Sequence, residues 1–311
     1  MDREIAILGA PSSIGIKPYA DGNPRRLDLA PGVFRERGLG ARLAAHDIGN
    51  VLPPPRYQGV ARTLGRPRNE GDVVAYSRKI AERIAAVSAD NRFLVLLGGD
   101  CSILLGALLG LRNGGRAPVG LVYVDAHADF ATLDESPSGS AASMCLALAV
   151  GRNNTQLAHL GGDAPLVSIA DVVHVGRRDD AEPWYGHAAL CASPALNLPH
   201  DLIRENGASY AASKALERVA RGPGGGFWVH VDADVLDPTV MPAVDSPLSG
   251  GLRINELAEL LAALVRHPRA LGLQLTIYDP TLDLDRSCAS RLVTLLETAL
   301  LDIRARAGGT R

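Results

Sequence analysis

The chain has 311 residues, 47% of them hydrophobic, and a formal net charge of −2 with Lys and Arg dispersed along its length. That supplies apolar material for a sizeable core and offers no basic block for nucleic acid or an anionic membrane surface. No apolar stretch is long and charge-free enough to span a bilayer, so the sequence argues against membrane and nucleic-acid partners. The cysteines, Cys101, Cys145, Cys191 and Cys288, show neither CxxC pairing nor a disulfide framework, which points to a reducing cytoplasm. Met1-Asp2-Arg3-Glu4 leads straight into a strand with no signal peptide expected before it, which fits the same cytoplasmic localisation.

In chain order, patterning predicts a strand over residues 5–8, then Pro/Gly/Asn-rich loops over 11–31 and 53–68. A helix over 73–88, a strand over 93–97 and a helix over 103–111 follow, then a strand over 121–124 and a helix over 141–150. The remainder reads as a strand over 172–175, a loop over 190–198, a helix over 211–221, a strand over 228–231, a helix over 254–265, a strand over 273–278 and a helix over 290–306. Alternation of this kind predicts an α/β fold with a mostly parallel, doubly wound sheet. No linker or internal repeat divides residues 1–311, so a single domain is expected.

Two carboxylate-rich clusters sit at the C-terminal ends of hydrophobic runs. Asp125-Ala126-His127-Ala128-Asp129 follows residues 119–124, and Asp232-Ala233-Asp234 follows residues 227–231. Side chains two apart on an extended segment point the same way, so Asp125, His127 and Asp129 are expected to converge while Asp232 and Asp234 close from a neighbouring strand. Ionised carboxylates crowded together need a counter-cation, and hard oxygen ligands with one imidazole suit Mn²⁺ or Zn²⁺ better than Ca²⁺. A lone Asp at a strand end is more often a solvated residue or a helix cap. Two clusters after two strands weigh against that, and open α/β sheets bind ligands at this edge.

Gly98-Gly99-Asp100-Cys101-Ser102, Asp125-Ala126-His127-Ala128-Asp129, His230-Val231-Asp232-Ala233-Asp234-Val235-Leu236-Asp237-Pro238 and Asp279-Pro280-Thr281-Leu282-Asp283 stand in the order and spacing of the arginase/agmatinase (ureohydrolase) family. Leu8-Gly9-Ala10-Pro11-Ser12 and Ala30-Pro31-Gly32-Val33-Phe34-Arg35 extend the resemblance over nearly the whole chain. It implies a three-layer α/β/α sandwich, a hydrolase of linear C–N bonds, a small-molecule substrate, a homo-oligomer of three or six subunits and two metal ions, usually Mn²⁺. By motif, Asp125 and Asp232 would bridge both metals, Cys101 and Asp129 would complete one shell, and His127 with Asp234 the other. A hydroxide held between the metals would be the nucleophile, and Asp129 would accept and return the proton. Asp237-Pro238 is expected to shape a turn.

The departures from the pattern bear on substrate and metal. The family's Gly-Gly-Asp-His-Ser reads Gly-Gly-Asp-Cys-Ser, so an imidazole ligand has become Cys101, either a soft ligand favouring Zn²⁺ or Fe²⁺ or a small buried hydrophobe. A loop histidine that shuttles protons in arginases maps to Ala142, with His230 as either its substitute or a core imidazole. Ser138 and Ser140 of the same loop are expected substrate contacts. Ile277 occupies the position of the guanidinium-pairing Glu, which leaves Asp279 as a substitute carboxylate or a turn former. Ala131 replaces the Asn that holds arginine's amino-acid end. The sequence therefore reads as a metal-dependent hydrolase of an amidine, modified guanidine or related amide, not of plain L-arginine. The alternatives are a one-metal deacetylase-like enzyme using Asp125, His127 and Asp232, and a catalytically silent metal-binding member.

Overall fold

The computed structural model describes residues 3–52, 64–88, 90, 92–221 and 224–303. Most of the loop expected over 53–68, and the last residues of the helix expected to 306, lie outside them. The strands are β1 (Ile5–Ala10), β2 (His46–Asn50), β3 (Phe93–Gly98), β4 (Val119–Val124), β5 (Val172–Val175), β6 (Leu196–Leu198), β7 (Gly226–Asp232) and β8 (Ala270–Thr276). They form one sheet in the order β2-β1-β3-β8-β7-β4-β5-β6, and every pairing is parallel. The six strands expected from sequence are the ones read as apolar runs, because a parallel sheet covered on both faces buries every residue of its inner strands. β1, β3, β4, β7 and β8 are buried along their whole length.

The helices are α1 (Ala30–Glu36), α2 (Leu39–Leu43), α3 (Glu70–Ser88), α4 (Ile103–Asn113), α5 (Cys145–Ala149), α6 (His187–Cys191), α7 (His200–Asn206), α8 (Ala208–Val219), α9 (Ile254–Val265) and α10 (Ser287–Ala299). They lie on both sides of the sheet as the outer layers. α3 packs on α4, and α8, α9 and α10 pack in series. The α3–α4 approach depends on Gly106 and Gly110, since a Cβ at either would come within 2.7 Å of the α3 backbone or of Ile84. The helix expected over 141–150 is shorter, a 3₁₀ turn at Ala142–Met144 running into α5. The loop expected over 190–198 contains β6.

The sheet's order brings the C-terminal ends of β3, β8, β7 and β4 side by side. In register, Tyr123 of β4 faces His230 of β7, and His230 faces Gln274 of β8. The acid clusters and Ile277 leave the sheet at this edge, where crossovers turn away in opposite directions and a crevice must open.

Candidate metal centre

The two acid clusters meet, but not by strand pleating. β4 ends at Val124 and the following residues form a turn, tied down where the Ala128 N–H donates to Asp179 Oδ2 at 2.8 Å and the His127 N–H to Asp125 Oδ1 at 2.7 Å. Asp232 caps the 3₁₀ turn Ala233–Val235, its Oδ1 accepting from the Asp234 N–H at 2.8 Å. The Arg178 guanidinium braces that turn from outside, donating to the carbonyls of Asp234 and Val235 at 2.8 and 3.1 Å. Arg177, Arg178 and Asp179 follow β5, and sequence reading missed them. The signal available was a third charged cluster at a strand end.

Among the described residues, two sets of side chains converge closely enough to hold an ion: Cys101, Asp125, His230 and Asp232, and Asp125, His127 and Asp234. All are buried, and Asp125 is common to both. His127 Nδ1 lies 2.9 Å from Asp234 Oδ2, and its Nε2 faces Glu182 Oε2 at 3.4 Å. A carboxylate behind a ligating imidazole fixes its tautomer and ring orientation, a role for Glu182 that the sequence did not suggest. The Cys101 Sγ donates to Asp232 Oδ2 at 3.0 Å and lies 3.5 Å from Thr276 Oγ1.

The structure places several expected site residues differently. Asp129 lines the cavity but falls outside both ligand sets. Its backbone takes φ 47°, and its Oδ2 accepts from the Tyr123 hydroxyl at 2.7 Å, which turns the carboxylate away from the extended line of Asp125 and His127. His230 is fully buried and does not line the cavity, because strand alternation places it between Tyr123 and Gln274, so a solvent-facing proton shuttle does not fit it. Asp279 is no substrate contact. Its Oδ2 accepts from the Tyr19 hydroxyl and the Arg26 N–H, its Oδ1 from Thr281, and it is sealed from the cavity as the cap of a turn. The trio proposed for a one-metal site also changes, since His127 meets Asp234 and not Asp232.

Ser138 and Ser140 do line the cavity, with Lys17, Tyr185, Asp245 and Ile277. The Ser140 hydroxyl accepts the Lys17 N–H at 2.9 Å, and Ser138 shares hydrogen bonds with Ser136 and Ser143. Asp245 is engaged by Arg25. Ile277 is 4% exposed, and its φ of 68° is a strained conformation for a β-branched residue. That bend is why β8 stops at Thr276 and not at residue 278.

Electrostatics show what the cluster lacks. Burial, then the neighbouring Asp charges, push Asp232 and Asp234 above the ordinary carboxylate range, and burial with the Asp125 charge does the same to Asp129. Burial also opposes ionisation of Asp125, but the hydrogen bond and charge of His127 outweigh it and hold this carboxyl low. The Cys101 thiol is pushed up by burial and then by Asp232. With protein groups alone, protons must neutralise the crowd. Asp125 Oδ2 is buried with no hydrogen-bond partner among the described residues. A divalent cation would satisfy that oxygen and replace those protons, so the donor set fits metal.

A family model described as Arginase family matches residues 3–301. The chain belongs to the arginase family. It is 28% identical to the arginase of Bacillus subtilis (strain 168) over 307 residues, covering 96% of this chain and 98% of that one. The native arginase structure from Bacillus caldovelox superposes with a TM-score of 0.84 at 26% identity, over 96% of this chain and 98% of that chain. The formimidoylglutamase structure from Bacillus subtilis shares the fold, with a TM-score of 0.71 at 20% identity over 97% and 87% of the two chains. An arginase-family member acts as a hydrolase on C–N bonds, and the cluster of this chain that could hold metal stands at the edge of the sheet where that chemistry would be done. No helix among the described residues is long and apolar enough to cross a membrane.

Proposed function

We propose that this chain hydrolyses a linear, non-peptide C–N bond of an amidine, modified guanidine or related amide, with two divalent ions, Mn²⁺ in the first instance, and that plain L-arginine is not its substrate. The observation that carries the reading is Ile277 on the cavity wall beside the metal-ligating carboxylates. A bare guanidinium needs a carboxylate there, and of the cavity acids outside the two ligand sets Asp245 already holds Arg25 while Asp129 is engaged by Tyr123. When bound, the metal pair supplies Lewis acidity and acidifies water to a nucleophile near neutral pH.

The chain's own residues supply the rest. Asp125, shared by the two ligand sets, fixes their spacing, while Cys101 and Asp232 hold one side and His127 and Asp234 the other. Asp129 keeps one oxygen free of Tyr123, and burial raises its proton affinity, so it suits a group that takes a proton from water and returns it to the leaving nitrogen. Ile277 offers an apolar seat for an uncharged or substituted end of the substrate. Lys17 and the serines at 138 and 140 can bind its polar tail. Assembly into trimers or hexamers in the cytoplasm completes the reading by family resemblance.

The test is metal counting by mass spectrometry, followed by turnover of a panel of arginine, agmatine, substituted guanidines, formamidines and linear amides with Mn²⁺. Two ions per chain and turnover outside the first two substrates support the proposal. Rapid release of urea from arginine would reject it.

A further inference from the structure

His230 stands among metal ligands, yet a hydrogen-bond relay behind it decides what it can do. The Trp228 indole N–H can only donate, so the Gln274 atom 3.0 Å from it is the amide oxygen. That orientation turns the Gln274 NH₂ toward His230 Nδ1 at 2.8 Å. An amide nitrogen does not accept, so Nδ1 must, and a neutral imidazole then carries its proton on Nε2. Nε2 faces Asp125 Oδ2 at 3.7 Å, longer than a hydrogen bond, and both atoms are buried with no hydrogen-bond partner among the described residues.

We propose that His230 is a neutral Nε2–H donor, set by the Trp228–Gln274 relay, and that it positions Asp125 instead of binding metal or carrying protons. The proposal rests on the reading of this cluster as a metal centre and deepens it. To ligate, Nε2 would have to lose its proton to Nδ1, which would then press an N–H against the Gln274 NH₂. Relaxation is blocked, because the relay is a cross-strand ladder. Trp228 and His230 of β7 pair with Gly272 and Gln274 of β8, and a Cβ at Gly272 would lie 2.6 Å from the Trp228 ring.

The other face of the imidazole stacks on Tyr123 with ring centres 4.2 Å apart and 17° between planes. Tyr123 spends its own hydroxyl on Asp129. The stacked pair thus aims one donor at each of two carboxylates, and Cys101 is left as the one ligand of its set that is not a carboxylate.

The experiment is a long-range ¹H–¹⁵N correlation on the histidine-labelled full chain, metal-free and loaded with Zn²⁺, with His230→Phe assigning the signal. The expected result is a protonated Nε2 and a bare Nδ1 in both states. A proton on Nδ1 with Nε2 bound to Zn²⁺ would overturn the proposal. Gln274→Glu accepts from both Trp228 and His230, so it should place a proton on Nδ1, and an unchanged tautomer would show that the relay does not set it. His230→Phe keeps the stack and should weaken Zn²⁺ binding about tenfold with the same number of ions. Unchanged affinity, or loss of a whole ion, contradicts positioning. Absence of turnover with an intact tautomer would count against the hydrolase reading alone.

Discussion

Ile277→Glu tests the substrate argument most directly. Ile277 is 4% exposed on the cavity wall, with its N–H bonded to the Gly99 carbonyl at 3.0 Å, so a new side chain there starts from a fixed backbone. A buried charge deprived of its partner costs about 3–5 kcal/mol, and 1.4 kcal/mol is roughly a factor of ten in rate. Supplying the carboxylate should therefore raise kcat/KM for arginine or agmatine by about two orders of magnitude. Without a guanidinium, the extra carboxylate joins an already crowded acidic cluster, so the metal-free variant should unfold at a lower temperature than the parent. Replacing a β-branched residue at φ 68° relieves strain in either case, and Ile277→Gln controls for it, since it shares the relief and adds no charge. The assay is urea release at saturating Mn²⁺. A gain with Gln equal to that with Glu, or no gain with Glu in a metal-loaded protein, would refute the reasoning.

Three further outcomes are expected. Asp232→Ala removes a ligand and leaves the Cys101 thiol without its acceptor at 3.0 Å, so metal content measured on the purified protein should fall by at least one ion per chain; unchanged content would contradict the assignment. Cys101→His replaces a soft donor by an imidazole, and calorimetric titration should show tighter Mn²⁺ binding, whereas weaker binding would mean that the thiol serves packing. The third concerns pH. Asp129, Asp232 and Asp234 have folded values raised above the ordinary range, so their contribution to metal-free stability is full at low pH and is lost as pH rises through those values. His127 is raised too and acts in the same sense, while Asp125 is depressed and acts in the opposite one. Between about pH 5 and pH 8, Tm should fall for metal-free protein and rise for metal-loaded protein, and parallel curves would argue against metal at this cluster.

The inner strands were legible because each is buried on both faces and reads as an unbroken apolar run. β2, with the sequence His46-Asp47-Ile48-Gly49-Asn50, carries no such run because it is an exposed sheet edge, and β6 at the opposite edge is only three residues long. The acid clusters were legible as residue types after strands. Their geometry was not, because Asp125–Asp129 and Asp232–Asp234 have already left the sheet, and turns braced by Asp179 and Arg178 decide where each carboxylate goes. Asp129 shows the cost of assuming a pleat, since its positive φ breaks the alternation on which convergence was argued. Of the two roles open to Asp279, the structure shows the turn former, for a related reason. Two-residue spacing from Ile277 suggested a shared face, but the chain turns at Ile277 and carries Asp279 to Tyr19 and Arg26, residues more than 250 positions away in sequence.

Cys101 and His230 show why a motif read along the chain misplaces chemistry that depends on strand order. In sequence, the loss of an imidazole just after β3 and the presence of one on β7 look like an exchange of ligands across 129 positions. In space, the two side chains do share an ion-sized cluster, which favours that exchange. What counts against it lies on β8, between β3 and β7, where Gln274, oriented by Trp228 of β7, turns its NH₂ to His230 Nδ1. If His230 only donates, one metal is held by a thiolate and carboxylates, and proton competition at Cys101 becomes the main tax on its affinity, since burial and Asp232 both favour the thiol. That ion should then be the one lost first as pH falls, and softer metals should hold it longest.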